Sequence, residues 1–148
     1  MTGWAEEELK GIDLGDRRRD KRAIALLDRL ASRPTASIPG ACSGWSETIA
    51  AYRFFGNDDV TWEAILAPHW SCSRARIARH KVVLMLQDTT ELDFNGQSIS
   101  GLGPLTYEAQ RGLYVHPTYA VSVDREPLGV LDAWMWAREP KDADGQRP

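Results

Sequence analysis

The chain has 148 residues, of which 43% are hydrophobic, and it carries a formal net charge of -3. This length fits one average domain or two small ones, with enough apolar residues to form a hydrophobic core. No apolar stretch approaches the roughly 18 residues of a membrane-spanning helix, and residues 1–10 are too polar for a secretory signal. Cys42 and Cys72 are too few and too far apart for a zinc site or a disulfide framework. These features predict a folded protein of the reducing cytoplasm.

The charge is divided unevenly along the chain. Residues 1–81 carry 13 Lys and Arg against 11 Asp and Glu, whereas residues 82–148 carry 5 against 10. Two basic clusters lie in the first part, at residues 17–22 and 74–81. Such clusters suit a surface that meets polyanions, although charge runs are more often solvated helix faces.

The first part of the chain has a helical pattern. Asp16 is the expected N-cap of a helix over residues 17–32, and Pro34 should end that helix. Arginines crowd its first turn, where each cation opposes the helix dipole by about a few tenths of a kcal/mol. An external anion would relieve this cost, and phosphate is the obvious candidate.

Two more helices are expected before residue 81. After an irregular loop over residues 33–44, a helix should run from residue 45 or 46 to residue 56. Asp59 is the expected N-cap of a third helix that runs to His80, and Pro68 could kink it, with the helix resuming from Trp70. Three short helices with a basic surface resemble a DNA-reading module in outline, but many helical bundles share that outline.

From residue 81 onward the pattern is extended. Residues 82–86 form an apolar run that predicts a buried strand leading to Asp88. Residues 113–123 and 128–136 are rich in aromatic and β-branched residues and predict a β-hairpin. The three strands should be antiparallel neighbours in one sheet, with a long mobile loop over residues 95–112.

Asp88 is the first candidate for chemistry. A carboxylate at the rim of a sheet can bind a hard cation such as Mg²⁺. Alternatively, Asp88 makes only a local hydrogen bond to the backbone near Thr90 and caps a turn. The pattern alone favours the turn.

Four short motifs occur in order along almost the whole chain: LGDRRR at residues 14–19, AYRFFGN at 51–57, QDTTELDF at 87–94 and GLYVHPTYAV at 112–121. Together they resemble the N-terminal part of a bacterial DDE transposase of the Tn-five-like, IS-four group. The resemblance implies an α+β protein. A helical domain that binds transposon ends would occupy residues 1–80, and the first three strands of an incomplete RNase H-like catalytic core would occupy residues 81–148.

The resemblance also implies roles for particular residues. Asp88 would be the first catalytic carboxylate of the DDE triad and a ligand of Mg²⁺ or Mn²⁺ in the full-length family. Arg53 falls in a motif of the end-binding domain but has a structural alternative, an ion pair with Glu47 or Asp58. His116 could approach Asp88 across the sheet, although a lone strand histidine is more often a packing residue. The expected DNA contacts are arginines of the first basic cluster and of the second motif: Arg17, Arg18, Arg19, Arg22 and Arg53.

The family's second aspartate and its glutamate have no counterpart in this sequence. One carboxylate cannot hold two metal ions about 3.5 to 4 Å apart, and the spacing of the candidate surrogates Glu91, Asp93 and Asp124 is unconvincing.

We therefore expect a cytoplasmic, nucleoid-associated protein that binds double-stranded transposon ends without cutting them and holds no metal tightly. One alternative is a truncated regulatory remnant that binds a full-length transposase or its DNA ends, or forms a homodimer. Another is a small metal-dependent nuclease with rearranged acids.

Overall fold

The computed structural model describes residues 3–147. The chain divides into two compact units, residues 1–72 and 73–148, and the boundary falls within α5. The helices are α1 (Trp4–Glu8), α2 (Arg17–Ser32), α3 (Ile38–Ala41), α4 (Trp45–Phe55) and α5 (Trp62–Ile77). The strands are β1 (Val83–Gln87), β2 (Thr90–Asp93), β3 (Gly103–Pro104), β4 (Arg111–Ser122) and β5 (Pro127–Trp136). The protein therefore combines helices with an antiparallel sheet, as expected for the α+β class.

The first unit is organised around α2 and α4. Asp16 caps α2 by accepting a hydrogen bond from the Arg18 backbone N–H at 2.7 Å, so the predicted cap and bounds are confirmed. α4 also begins and ends where the sequence predicts, with Gly56 at its C-cap. One hydrophobic core, built from the inward faces of these helices and neighbouring segments, contains Leu9, Leu14, Ala23, Leu26, Cys42, Ala51 and Phe54.

The prediction for the third helix was wrong at its start. Thr61, not Asp59, takes the capping position, since its hydroxyl accepts the Ala64 N–H at 3.2 Å. Asp59 forms a tertiary ion pair with Arg19 instead. α5 continues through Pro68 without a break. The short helices α1 and α3 were not predicted, and α3 lies in the segment expected to be irregular.

β4 is the central strand of the second unit. β1 and β2 pair with one of its edges and β5 with the other, all antiparallel. Gly112 pairs with both β2 and β3, so β3 lies on the same side as β5. The predicted hairpin and the antiparallel order of the three main strands are confirmed.

β1 and β2 are two parts of one edge strand with a constant register. Gln87 pairs with Thr118 and Thr90 with Val115, so Asp88 and Thr89 lie opposite Pro117 and His116. Pro117 has no backbone N–H to donate, which explains why the ladder is interrupted there. Asp88 therefore lies within an edge strand rather than beyond its end.

The sheet has two different faces. Because side chains alternate along a strand, one face carries Asp88 among apolar residues of all three strands, and the other carries Thr89 and His116. The Asp88 face includes Leu84, Leu86, Leu92, Leu113, Val115, Pro117, Tyr119 and Met135, and each stays partly or largely exposed.

The prediction of a buried first strand was wrong. Leu84, Met85 and Leu86 are each about half exposed, at 48%, 48% and 50%, because β1 has one strand neighbour and an uncovered face. The core of this unit lies elsewhere, around Leu105 and Leu128. The loop over residues 95–112 was expected to be mobile, but it contains β3 and supplies the fully buried Leu105.

Candidate nucleic-acid interface

The outward arginines of α2 fall on a common face. Positions 18, 22 and 29 are separated by four and seven residues, and this spacing places side chains above one another on a helix. Arg18 is almost fully exposed, with 91% of its side chain accessible, and its Nε lies 3.5 Å from Asp16 Oδ1. The backbone N–H of Arg18, together with its charge, holds the pKa of Asp16 below its usual value. Arg17 is exposed on a different side of the helix.

Arg19 points the opposite way and is bound to the protein. Its guanidinium donates to the Leu14 carbonyl at 3.0 Å and pairs with Asp59 at 2.8 Å, so it ties α2 to the segment that follows α4. Only 28% of the side chain is exposed. These contacts give Arg19 a structural role, whereas Arg17, Arg18 and Arg22 direct no such bond into the described fold.

Glu47 connects the arginine face of α2 to the first turn of α4. One carboxylate oxygen accepts from Arg29 Nε at 3.3 Å, and the other accepts from the Ser43 backbone N–H. The Ser43 N–H, with Arg29, lowers the pKa of Glu47. This pairing fixes the start of α4 beside α2.

A shallow depression lies at this junction. Gly44 is the N-cap residue of α4. Because glycine has no side chain, it cannot accept a hydrogen bond from the first backbone N–H groups of the helix. Trp45 stands at the rim with 78% exposure. Cationic side chains, hydroxyls and helix-start N–H groups together suit a phosphate oxygen. The depression is lined by Arg22, Arg29, Ser43, Gly44, Trp45, Ser46 and Glu47.

The outward face of α4 extends this surface. Trp45 and Tyr52 are seven residues apart and therefore share a face, and Tyr52 is 54% exposed. Arg53, the next residue, lies at the side of this face. Arg53 is exposed and forms no ion pair with Glu47 or Asp58, so that structural alternative is not realised. We call Arg18, Arg22, Arg29, Trp45, Tyr52 and Arg53 the basic–aromatic surface.

Sequence reasoning missed Trp45 and Arg29 as members of this surface. A signal for both was present in the spacing: Arg29 continues the arginine face of α2, and Trp45 lies two helical turns before Arg53. What the sequence did not reveal is the Glu47 bridge, because it joins residues 18 positions apart.

Asp88 and His116, considered together in the sequence, are not brought together. Asp88 Oδ1 accepts from the Thr89 backbone N–H at 2.9 Å, a local bond of the kind expected for a turn. Its side chain lies with Leu86, Pro117 and Tyr119 on the apolar face. His116 Nδ1 is 2.8 Å from the Thr89 hydroxyl on the opposite face.

The candidate surrogate acids have local partners. Glu91 accepts from the Thr106 N–H at 2.8 Å and from the Tyr114 hydroxyl at 3.0 Å. The bonds from Thr106 are the main reason for the lowered pKa of Glu91. Asp93 accepts from Asn95 and Gln110. Within residues 3–147, the structure has no group of three or more His, Cys, Asp or Glu side chains that could hold a metal ion.

Residues 1–60 match the family model of the transposase DNA-binding domain. The match includes α1 to α4 and every residue of the basic–aromatic surface. It supports the interpretation of this region as the N-terminal part of a transposase that binds DNA in transposition. No helix among residues 3–147 is long and apolar enough to cross a membrane.

Proposed function

We propose that the chain binds double-stranded transposon ends through the basic–aromatic surface, as the end-recognition part of a cut-and-paste transposase of the Tn-five-like, IS-four group. One observation carries the proposal. The partly exposed Arg22 lines one depression with the exposed Trp45, and the exposed Arg18 lies one helical turn before Arg22, within a region that matches a transposase DNA-binding domain.

The two helices would contribute differently to binding. Arg18 and Arg22 on α2, with Arg17 beside them, would contact backbone phosphates and set the position of the protein on the duplex. Arg53 and the exposed aromatic residues of α4 would face a groove, where an arginine can read a guanine edge. Arg19 would act indirectly, by holding α2 in place.

The second unit would be the opening part of an RNase H-like core. Asp88 would supply the first carboxylate of a DDE site that other acids must complete, with Mg²⁺ or Mn²⁺ providing Lewis-acid chemistry when bound. On this proposal the 148-residue chain binds DNA in the cytoplasm, at the nucleoid, and does not cleave it.

The test is a salt titration of binding by fluorescence anisotropy, with a transposon-end duplex and a random duplex. The double variant Arg18→Ala, Arg22→Ala should bind more weakly, and the slope of log K against log salt should fall by about 0.9 per lost phosphate contact. The matched control is Arg111→Ala, Arg125→Ala, which removes two exposed arginines of the second unit.

Two results would overturn the proposal. The first is the absence of salt-dependent binding to either duplex. The second is equal weakening by both double variants, which would assign the effect to net charge rather than to the surface. A preference of the wild type for the end duplex would separate end recognition from general DNA binding.

A further inference from the structure

The Glu47 carboxylate lies between two donors that suit an anion. One of its oxygens accepts from Arg29 Nε at 3.3 Å, and the other accepts from the Ser43 backbone N–H. Only 21% of the Glu47 side chain is exposed. A guanidinium and a backbone N–H are also donors that DNA-binding proteins offer to phosphate oxygens. The carboxylate therefore occupies a place that a phosphate oxygen could take.

The same depression holds a second cation, Arg22. Arg22, Arg29 and Glu47 all line it, and among the ion pairs of residues 3–147 the one formed here joins Arg29 to Glu47 and leaves Arg22 without a carboxylate. The depression thus has a surplus of positive charge that attracts a phosphate. A phosphate cannot share the Arg29 and Ser43 donors with Glu47, however, because two anions in contact repel each other.

This inference rests on the DNA-binding function proposed above. We propose that the Glu47 carboxylate is an internal substitute for a DNA phosphate and is displaced from Arg29 and Ser43 when the duplex binds. The phosphate then accepts from both donors and connects α2 to α4 in place of the carboxylate. Arg29 becomes a phosphate contact only in the complex. Glu47 lowers the affinity for DNA, because its pair with Arg29 must break before the phosphate binds.

The contacts of Glu47 also fit a role in stability alone. A glutamate in the first turn of a helix often accepts a backbone N–H at the start of that helix and stabilises it. The two roles predict opposite changes in DNA affinity. If Glu47 only positions α4, its loss should weaken binding. If Glu47 competes with a phosphate, its loss should strengthen binding even though the fold becomes less stable.

Fluorescence anisotropy of the full 148-residue chain with a random-sequence DNA duplex tests the proposal, since phosphate contacts do not depend on sequence. Glu47→Gln should bind about two- to fivefold more tightly, the factor that corresponds to an exposed ion pair. Arg29→Ala should lower the slope of log K against log salt by about 0.9. In the Arg29→Ala background, Glu47→Gln should give no such gain.

Asp28→Asn is the matched control. It removes an exposed carboxylate that is next to Arg29 in the sequence but forms no ion pair with it. The affinity of this variant should therefore rise less than that of Glu47→Gln. Circular dichroism shows whether each variant is folded. If Glu47→Gln does not fold, the salt slope of Arg29→Ala decides the question, because Arg29 contributes to that slope only if it contacts a phosphate.

Three results would overturn the proposal: weaker or unchanged binding by folded Glu47→Gln, an equal gain in Asp28→Asn, or an unchanged salt slope in Arg29→Ala. The first would leave Glu47 as a positioning residue, and the second would indicate a general effect of charge. If the Arg18→Ala, Arg22→Ala variant still bound more weakly in these cases, the DNA-binding surface itself would stand. Absence of salt-dependent binding by the wild type would overturn both proposals.

Discussion

Arg29 Nε and Glu47 Oε1 lie 3.3 Å apart and join the middle of α2 to the first turn of α4. The other oxygen of the same carboxylate accepts the Ser43 N–H just before that helix. A single side chain therefore fixes both the position of α4 and the segment that leads into it. Both partners favour the ionised carboxylate, and the pKa of Glu47 is lowered accordingly.

Glu47→Gln should reduce stability at neutral pH, and the difference from wild type should shrink in acid. A carboxyl group whose pKa is lower in the folded state contributes stability above its unfolded pKa, here 4.5, and that stability is lost as the pH falls through the folded pKa. Thermal unfolding at pH 7 and pH 3 measures the effect. Glu63→Gln changes an exposed carboxylate in the first turn of α5 and is the control. An equal gap at both pH values would contradict the assignment.

Arg19→Ala should lower stability, whereas Arg17→Ala should weaken DNA binding. Arg19 makes two polar bonds inside the first unit, one of them with a carboxylate, and its loss should cost about 1 to 3 kcal/mol. The salt slope of DNA binding should stay the same. Arg17→Ala should change stability by less than about 0.5 kcal/mol but reduce the slope. Urea denaturation and anisotropy titrations separate the two. A stability loss in Arg17→Ala equal to that in Arg19→Ala would contradict this division.

The parts of the fold set by local sequence were predictable. Asp16 caps α2 through a bond that spans two residues, and the β4–β5 hairpin follows from alternation and a short turn. The start of α5 was missed because the Asp59 carboxylate pairs with Arg19, 40 positions away, and leaves the capping role to Thr61. Local propensity gives no information about such a partner.

The site was predictable to a similar degree. The basic cluster pointed to the first turns of α2, but only the fold shows that Arg19 turns inward. Apolar content identified β1 as a strand, yet the same pattern suits a buried strand and a half-exposed strand with a single strand neighbour. Burial depends on neighbours, and the sequence of the strand does not specify them.

Trp45→Ala should weaken DNA binding without changing the salt slope. Trp45 is 78% exposed and makes no ring contact within the described structure, so its truncation should leave stability nearly unchanged. Central aromatic residues often contribute more than about 1 kcal/mol to an interface, which corresponds to roughly a fivefold loss of affinity. Trp134→Ala removes a tryptophan with 67% exposure from the second unit and should have no effect on DNA affinity. Equal losses in both variants would argue against the basic–aromatic surface.

Gly129→Ala should destabilise the second unit more than Gly101→Ala does. Both glycines have positive φ, 122° and 79°, so each substitution incurs a backbone cost of about 1 to 2 kcal/mol. A Cβ at Gly101 meets nothing within 4 Å, but one at Gly129 would lie 2.2 Å from Ser73 Oγ and 3.2 Å from an Arg76 nitrogen.

The surroundings of Gly129 leave little room to adjust. Ser73 is fully buried, and the Arg76 guanidinium is held by a 2.7 Å hydrogen bond to the Leu128 carbonyl. Overpacking should therefore add about 1 to 3 kcal/mol to the loss in Gly129→Ala. Denaturant unfolding of the two variants gives the difference directly. Equal losses would mean that the end of α5 does not pack closely on β5 in solution, because only that packing distinguishes the two sites.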